Sequence, residues 1–135
     1  MNSSPYLNFK GNCEEAFNFY VDAIGATIVR MSKFKDTPMA GQVPPEMQNM
    51  VIHARITVGD TIIMASDTID RYETPKGFSM SLSANTPEEA ERAFANLSKG
   101  GEVNMPMAET FFAQRFGGCR DRFGVPWMVI CEKPM

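Results

Sequence analysis

Histidine and tryptophan are almost absent from this chain of 135 residues, which carries one of each, His53 and Trp127. A single histidine excludes any site built from two or more imidazoles. Cysteine is also scarce. Cys13, Cys119 and Cys131 are odd in number and contain no C-x-x-C pair, so neither a zinc knuckle nor a redox motif is expected. The three are predicted to be reduced, structural thiols.

The chain lacks an excess of basic charge and lacks long apolar runs. Its formal net charge is −3, and its lysines and arginines are scattered. Nucleic acids and anionic membranes attract basic surfaces, so neither is an expected partner. No apolar run reaches the length of a membrane span, and "MNSSPYLNF" lacks the basic-then-apolar layout of a signal peptide. We therefore expect a cytoplasmic protein of one domain.

An internal repeat is present. In the first half, the apolar run "PYLNF" precedes the helix-like segment "GNCEEAFNFYVDAIG". In the second half, "GFSMSLSA" precedes "NTPEEAERAFANLSKGG". Three strand-like runs follow each: "ATIVRMSKF", "MVIHARITV" and "TIIMASD", then "GEVNMPMAET", "FFAQRFGGCR" and "PWMVICEK". The predicted order is β-α-β-β-β twice, as modules 1–67 and 77–135 with a linker at 68–76. Two such modules predict one layered α+β domain over 1–135, with a helix behind each sheet.

Both helix-like segments carry end signals. Asn12 with Glu15, and Thr86 with Glu89, have the spacing of a capping box, and Gly25 stands where a C-cap belongs. The predicted buried faces are Ala16, Phe19, Tyr20, Ala23 and Ile24 in the first helix, and Ala90, Ala93, Phe94 and Leu97 in the second.

The polar side of "VIHARITV" has two interpretations. Alternation leaves His53, Arg55 and Thr57 on one side of this strand and its apolar residues on the other. These residues either line one side of a ligand pocket, where Arg55 binds an anionic ligand, or form a polar row that faces solvent. Trp127 is likewise either a stacking surface for a planar ligand or core. Of Phe111 and Phe112, one is expected in the core and the other beside a pocket.

The repeat resembles the vicinal oxygen chelate superfamily, which includes glyoxalase I, bleomycin-resistance proteins and extradiol dioxygenases. "SPYLNFKGNCEEAFNFY", "IHARITVGDTIIMASD" and "ETFFAQRFGGCRDRFGVPWM" resemble its PhnB-like branch. Members of that branch are often named after 3-demethylubiquinone-9 3-methyltransferase. The resemblance implies two paired βαβββ modules that form an open, cup-shaped mixed sheet with the helices on its outer face. It also implies a homodimer.

Metal-dependent members of the superfamily hold a divalent ion with His, Gln or Glu from the first and last strand of each module. The corresponding positions here are Ser4, Met64 or Ser66, Ser79 or Ser81, and Met128, which replaces a glutamate. Hydroxyls and thioethers are poor ligands for Mg²⁺, Mn²⁺, Ni²⁺ or Zn²⁺. Because these residues depart from the family's ligand set, the family's metal chemistry is not expected in this chain, and no other cofactor is expected.

The expected function is metal-free binding of a small molecule of unknown identity. The predicted cup residues are Tyr6, Asn8, His53, Arg55, Met64, Ser66, Ser79, Ser81, Phe112, Trp127 and Met128. The alternative is a metal-dependent lyase, isomerase or dioxygenase-type enzyme. Glu109 is then the general-base candidate by family position, unless it is merely a solvated or ion-paired acid. Methyltransferase activity is not expected, because the chain has no G-x-G turn for S-adenosylmethionine.

Overall fold

The computed structural model describes residues 1–68 and 70–134, which form two compact units, Met1–Glu73 and Thr74–Met135. The boundary falls within the predicted linker, whose Ile69 lies outside the described residues, as does Met135. Each unit contains one helix and one four-stranded mixed sheet in the order βαβββ. The predicted α+β class and the predicted repeat are confirmed. Neither described helix is long and apolar enough to cross a membrane.

The first unit consists of β1 (Tyr6–Phe9), α1 (Cys13–Ile24), β2 (Thr27–Lys33), β3 (Val51–Val58) and β4 (Thr61–Asp67). The sheet order is β1-β4-β3-β2, with β1 parallel to β4 and the other pairs antiparallel. Gly59 has a φ of 58° in the two-residue turn between β3 and β4, as the hairpin requires. Three 3-10 turns, Phe34–Asp36, Ala40–Gln42 and Pro45–Met47, lie in the long loop after β2.

The buried face of α1 differs from the prediction. Its buried residues are Cys13, Ala16, Phe17 and Tyr20, whereas Phe19, Ala23 and Ile24 are only partly buried. The face starts one turn earlier than the apolar pattern suggested, because Cys13 is fully buried and sets the i, i+3, i+4, i+7 spacing. Gly25 ends the helix in the left-handed conformation, with a φ of 72°, as predicted.

The start of α1 is stabilised by a distant carboxylate. The Asn12 side chain makes no capping hydrogen bond, so the predicted cap is wrong. Oδ1 of Asp67, at the end of β4, accepts hydrogen bonds from the backbone N–H groups of Gly11 at 2.9 Å and Cys13 at 3.0 Å. Its Oδ2 accepts from Val51 N–H at 2.9 Å. One side chain thus joins the helix start to two strands.

The second unit consists of β5 (Met80–Ser83), α2 (Pro87–Ser98), β6 (Glu102–Ala108), β7 (Ala113–Arg120) and β8 (Pro126–Glu132), in the sheet order β5-β8-β7-β6. The predicted buried face of α2, namely Ala90, Ala93, Phe94 and Leu97, is confirmed. Thr86 caps the helix by accepting from Glu89 N–H at 3.1 Å. The Glu89 carboxylate accepts from Asn85 N–H at 3.3 Å, one residue before the predicted partner.

Candidate functional site

The face of the first sheet that points away from α1 carries two rows of side chains. Directly paired residues of neighbouring strands point to the same side of a sheet. Tyr6 pairs with Met64, Met64 with Arg55, and Arg55 with Arg30. We call Tyr6, Met64, Arg55 and Arg30 the arginine row. Leu7, Ala65 and Ala54 alternate with these residues and are buried on the helix side.

The next row of the same face is polar. Asn8 pairs with Ser66, and His53 with Ser32. The ring centroids of Tyr6 and His53 are 6.0 Å apart with an interplanar angle of 36°. The structure therefore brings the six site residues predicted in the first module onto one sheet face, and it adds Arg30 and Ser32.

Arg55 is held in place without an acidic partner. Its Nη2 lies 3.7 Å from the Sδ atom of Met64. Its Nε atom is buried and has no hydrogen-bond acceptor. Ion pairs in the described residues 1–68 and 70–134 include Lys33–Glu14, Arg115–Glu91 and Lys133–Glu109, and neither Arg55 nor Arg30 takes part in one. A buried donor left without an acceptor costs about 1–3 kcal/mol.

The corresponding face of the second sheet is mainly apolar. Ser81 pairs with Met128, Met128 with Gly118, and Gly118 with Met105. The adjacent row pairs Ser83 with Ile130, Ile130 with Phe116, and Phe116 with Ala108. The side chains of Met128, Ile130 and Phe116 are partly exposed. This face offers thioether, aliphatic and aromatic surface beside two serine hydroxyls.

Trp127 does not belong to that face. It is 2% exposed, and its strand partners Met80 and Cys119 are buried with it on the helix side. Its indole N–H donates to Asp121 Oδ2 at 2.8 Å. Alternation along β8 puts Trp127 and Met128 on opposite sides of the sheet, so Trp127 is a core residue and its assignment as a ligand contact is corrected.

Three further predicted residues lie outside the strands. Ser79 precedes β5 and is exposed. Phe111 and Phe112 precede β7 and are 91% and 42% exposed, so the expectation that one of them packs in the core is wrong. The Phe112 ring makes edge-to-face contacts with Phe111 at 5.1 Å and Phe116 at 5.3 Å. Phe112 therefore contacts a residue of the apolar face through its ring.

Glu109 is an exposed acid in an ion pair. Its Oε2 lies 2.9 Å from Nζ of Lys133, and this hydrogen bond lowers the pKa of the Glu109 carboxyl. A lowered pKa makes the carboxylate a weaker base. Glu109 borders a shallow depression of about 280 Å³ together with Pro87, Gln114 and Arg115. The arrangement is that of a surface ion pair and gives Glu109 no catalytic partner.

The residues at the superfamily's metal positions do not fit a divalent cation. Met64 presents a thioether with a guanidinium 3.7 Å away, and a positive charge there opposes a cation. Met128 presents a second thioether, opposite the Ser81 hydroxyl. Among the residues that the structure describes, no three His, Cys, Asp or Glu side chains are grouped so that they could hold a metal ion. The protein ligands that usually hold Mg²⁺, Mn²⁺ and Zn²⁺ are carboxylates, imidazoles and, for Zn²⁺, thiolates.

Comparisons with known proteins show what this chain is similar to. Residues 2–130 match the family model of 3-demethylubiquinone-9 3-methyltransferase. The chain is 36% identical to Protein YjdN from Escherichia coli (strain K12) over 139 residues, covering 96% of this chain and 95% of that protein. It is 43% identical in sequence to protein PA1353 from Pseudomonas aeruginosa. The crystal structure of that protein matches with a TM-score of 0.87, and 99% of each chain is covered.

Two further solved structures extend the comparison. A PhnB protein from Bacillus cereus, described as a putative 3-demethylubiquinone-9 3-methyltransferase, is 27% identical with a TM-score of 0.81, covering 97% of this chain and 99% of that one. A glyoxylase/bleomycin resistance protein/dioxygenase domain from Frankia sp. EAN1pec is 12% identical with a TM-score of 0.69, covering 98% of each chain. This last similarity concerns the fold alone.

Proposed function

Because the chain belongs to the 3-demethylubiquinone-9 3-methyltransferase family, in the PhnB-like branch of the vicinal oxygen chelate superfamily, we propose that it binds a small organic molecule without a metal ion. The observation that carries this proposal is the arginine row. An exposed aromatic ring, a thioether and an unpaired guanidinium stand side by side on one sheet face. Apolar surface with a few polar groups is typical of ligand sites.

The side chains of this row are available to a ligand because other contacts hold the unit together. The helix packs against the opposite side of the sheet, and Asp67 joins α1 to the strands from that side. Tyr6 is 46% exposed although it lies within a strand. We propose that Asn8, His53 and Ser66 border this ligand, and that Ser81 and Met128 belong to a separate candidate surface in the other unit.

The family name raises the possibility of methyl transfer from S-adenosylmethionine, and the topology argues against it. A cofactor site of the Rossmann type lies at the carboxyl ends of several parallel strands, after a glycine-rich turn. In the part of the chain that the structure describes, each sheet has a single parallel pair, β1 with β4 or β5 with β8. No G-x-G sequence occurs in the chain. A calorimetric titration in which S-adenosylmethionine binds tightly would contradict this part of the proposal.

The test of ligand binding is native mass spectrometry of protein purified without chelators, followed by thermal-shift screening of small aromatic and aliphatic compounds. We expect a bound organic mass or a stabilising compound whose Kd rises at least about tenfold in Tyr6→Ala, a loss of about 1.4 kcal/mol. Tyr72→Ala is the matched control, since Tyr72 is a partly buried tyrosine of the same unit outside the sheet. Unchanged binding in Tyr6→Ala would refute the proposed surface. A stoichiometric transition metal would refute the metal-free part.

The superfamily resemblance also leads us to propose a cytoplasmic homodimer. The net charge of −3 supports the absence of nucleic-acid and membrane partners. Light scattering coupled to size-exclusion chromatography measures the mass directly. A monomer of 15.0 kDa at micromolar concentration would contradict the dimer.

A further inference from the structure

We infer that the ligand of the arginine row is an organic anion, with its acidic group on Arg55 and Arg30 and an apolar or planar body over Met64 and Tyr6. The inference rests on the proposed function and adds the ligand's chemical class. Its first support is the direct cross-strand pairing of Arg30 with Arg55. Like charges directly opposite one another on a sheet destabilise it, so an anion between the two guanidinium groups would offset that repulsion.

The second support is the unused hydrogen-bonding capacity of Arg55. The Arg55 Nη2 group donates to the Met64 thioether, which is a weak acceptor, and the buried Nε–H has no acceptor. A carboxylate or phosphonate accepts two parallel hydrogen bonds from a guanidinium, and a change of the Arg55 rotamer on binding would turn this donor toward such an acceptor. Water-exposed arginines need no such partner, whereas a buried Nε–H does.

The third support is the gradient of chemistry along the row. Neighbouring strands are about 4.8 Å apart, so the row places Tyr6 about 10 Å from Arg55 at the level of the backbone. Over that distance the surface changes from an aromatic ring through a thioether to a cation. A ring bearing one acidic group has the same order of polarity and a similar length. A purely inorganic anion would leave the Tyr6 end unused.

The local charge is opposite in sign to that of the whole chain. The chain has a net charge of −3, yet both charged residues of the row are cationic. The nearby carboxylate of Asp67 is committed to three backbone N–H groups on the helix side of the sheet. Glu14 is paired with Lys33. These two acids are therefore engaged elsewhere, and no ion pair with Arg55 or Arg30 is found in residues 1–68 and 70–134.

The test uses benzoate and its neutral isostere benzamide, which differ in charge and hardly in shape. In ¹⁵N-labelled protein, benzoate should shift one arginine Nε–H signal saturably at millimolar concentration, the affinity range expected of a fragment this small. The signal is assigned by its disappearance in Arg55→Met. We expect benzamide to bind at least about tenfold more weakly than benzoate, because it lacks the charge-assisted pair of hydrogen bonds.

Three variants separate recognition from general charge. Arg55→Met should raise the benzoate Kd at least about tenfold, measured on the backbone amide signals of β4. Arg55→Lys keeps the charge but lacks the Nε–H, and it should fall between the wild type and Arg55→Met. Arg71→Met is the control, since Arg71 is exposed in the same unit outside the sheet. Melting curves establish that each variant is folded.

Several outcomes would overturn the inference. They are equal binding of benzoate and benzamide, an equal loss in Arg71→Met and Arg55→Met, and no shift of the Arg55 signal by benzoate. These outcomes differ from failure of the proposed function. A neutral molecule that copurifies with the protein, and that binds Arg55→Met as well as the wild type, would leave small-molecule binding intact and remove only the acidic group.

Discussion

Asp121→Asn is the substitution that most directly tests how the second unit is held together. The Asp121 side chain is 3% exposed, so its carboxylate is buried in the core. Its Oδ1 accepts from the backbone N–H groups of Phe123 at 2.9 Å and Val125 at 3.0 Å. Its Oδ2 accepts from the Trp127 indole at 2.8 Å. The carboxylate thus connects the turn after β7 to the first residues of β8.

The expected cost follows from the number of acceptors. An asparagine side chain has one acceptor oxygen and one NH₂ donor, so if its oxygen keeps the two backbone bonds, the NH₂ group faces the indole N–H. The lost charge-assisted bond is worth about 1.5–3 kcal/mol, and a buried unsatisfied donor costs about 1–3 kcal/mol more. We expect the free energy of unfolding to fall by about 3 kcal/mol, which corresponds to about 10 °C in Tm.

Urea unfolding at neutral pH measures this effect, and Trp127 supplies the signal because it is the only tryptophan. Asp22→Asn is the matched control, since Asp22 is exposed on α1. A surface change of this kind should alter stability by less than about 0.5 kcal/mol. If Asp121→Asn costs less than about 1 kcal/mol, the argument from buried acceptors is wrong for this site.

Two other predictions concern the first unit. Asp67→Asn removes one of the acceptors shared by α1, β3 and β4 and should cost about 2 kcal/mol in thermal melting, again against Asp22→Asn. Burial is the main cause that raises the pKa of the Cys13 thiol, so the native state keeps its proton at a pH where the unfolded state loses it. The free energy of unfolding should therefore fall as pH rises above about 8.5, the ordinary thiol pKa. Cys13→Ala should flatten this dependence, and an unchanged slope in that variant would contradict the assignment.

The two helices show where sequence patterns suffice. Thr86 lies directly before α2 and caps it locally, so both the start and the buried face of α2 could be read from neighbouring residues. The acceptor at the start of α1 is Asp67, which lies 54 residues from Cys13 in the sequence. No local pattern indicates such a partner. Asparagine is a common N-cap residue, which is why the sequence predicts Asn12 as the cap. In the structure the Asp67 carboxylate accepts the hydrogen bond of the first turn instead.

The candidate site shows a second limit, which concerns strand register. Strict alternation along β2 places Ile28 and Arg30 on the same side. Ile28 pairs with the buried Ile56, and a register irregularity around Val29 then brings Arg30 opposite Arg55. An irregularity of this type reverses the side on which the following residues lie. Arg30 was therefore missed, whereas Tyr6, Met64 and Arg55 follow regular alternation and could be placed from the sequence.

The repeat also explains why two sheets of the same topology can carry different chemistry. In each unit the contacts that maintain the fold lie on the helix side, through Asp67 in the first and through Asp121 and Trp127 in the second. The opposite side makes none of these contacts, and there one sheet bears Arg30 opposite Arg55 whereas the other bears Met128 with its apolar neighbours. Met128 illustrates this difference in chemistry. A thioether opposite Ser81 adds apolar contact area to the proposed ligand surface of the second unit, and it supplies none of the charge that a metal ion would require.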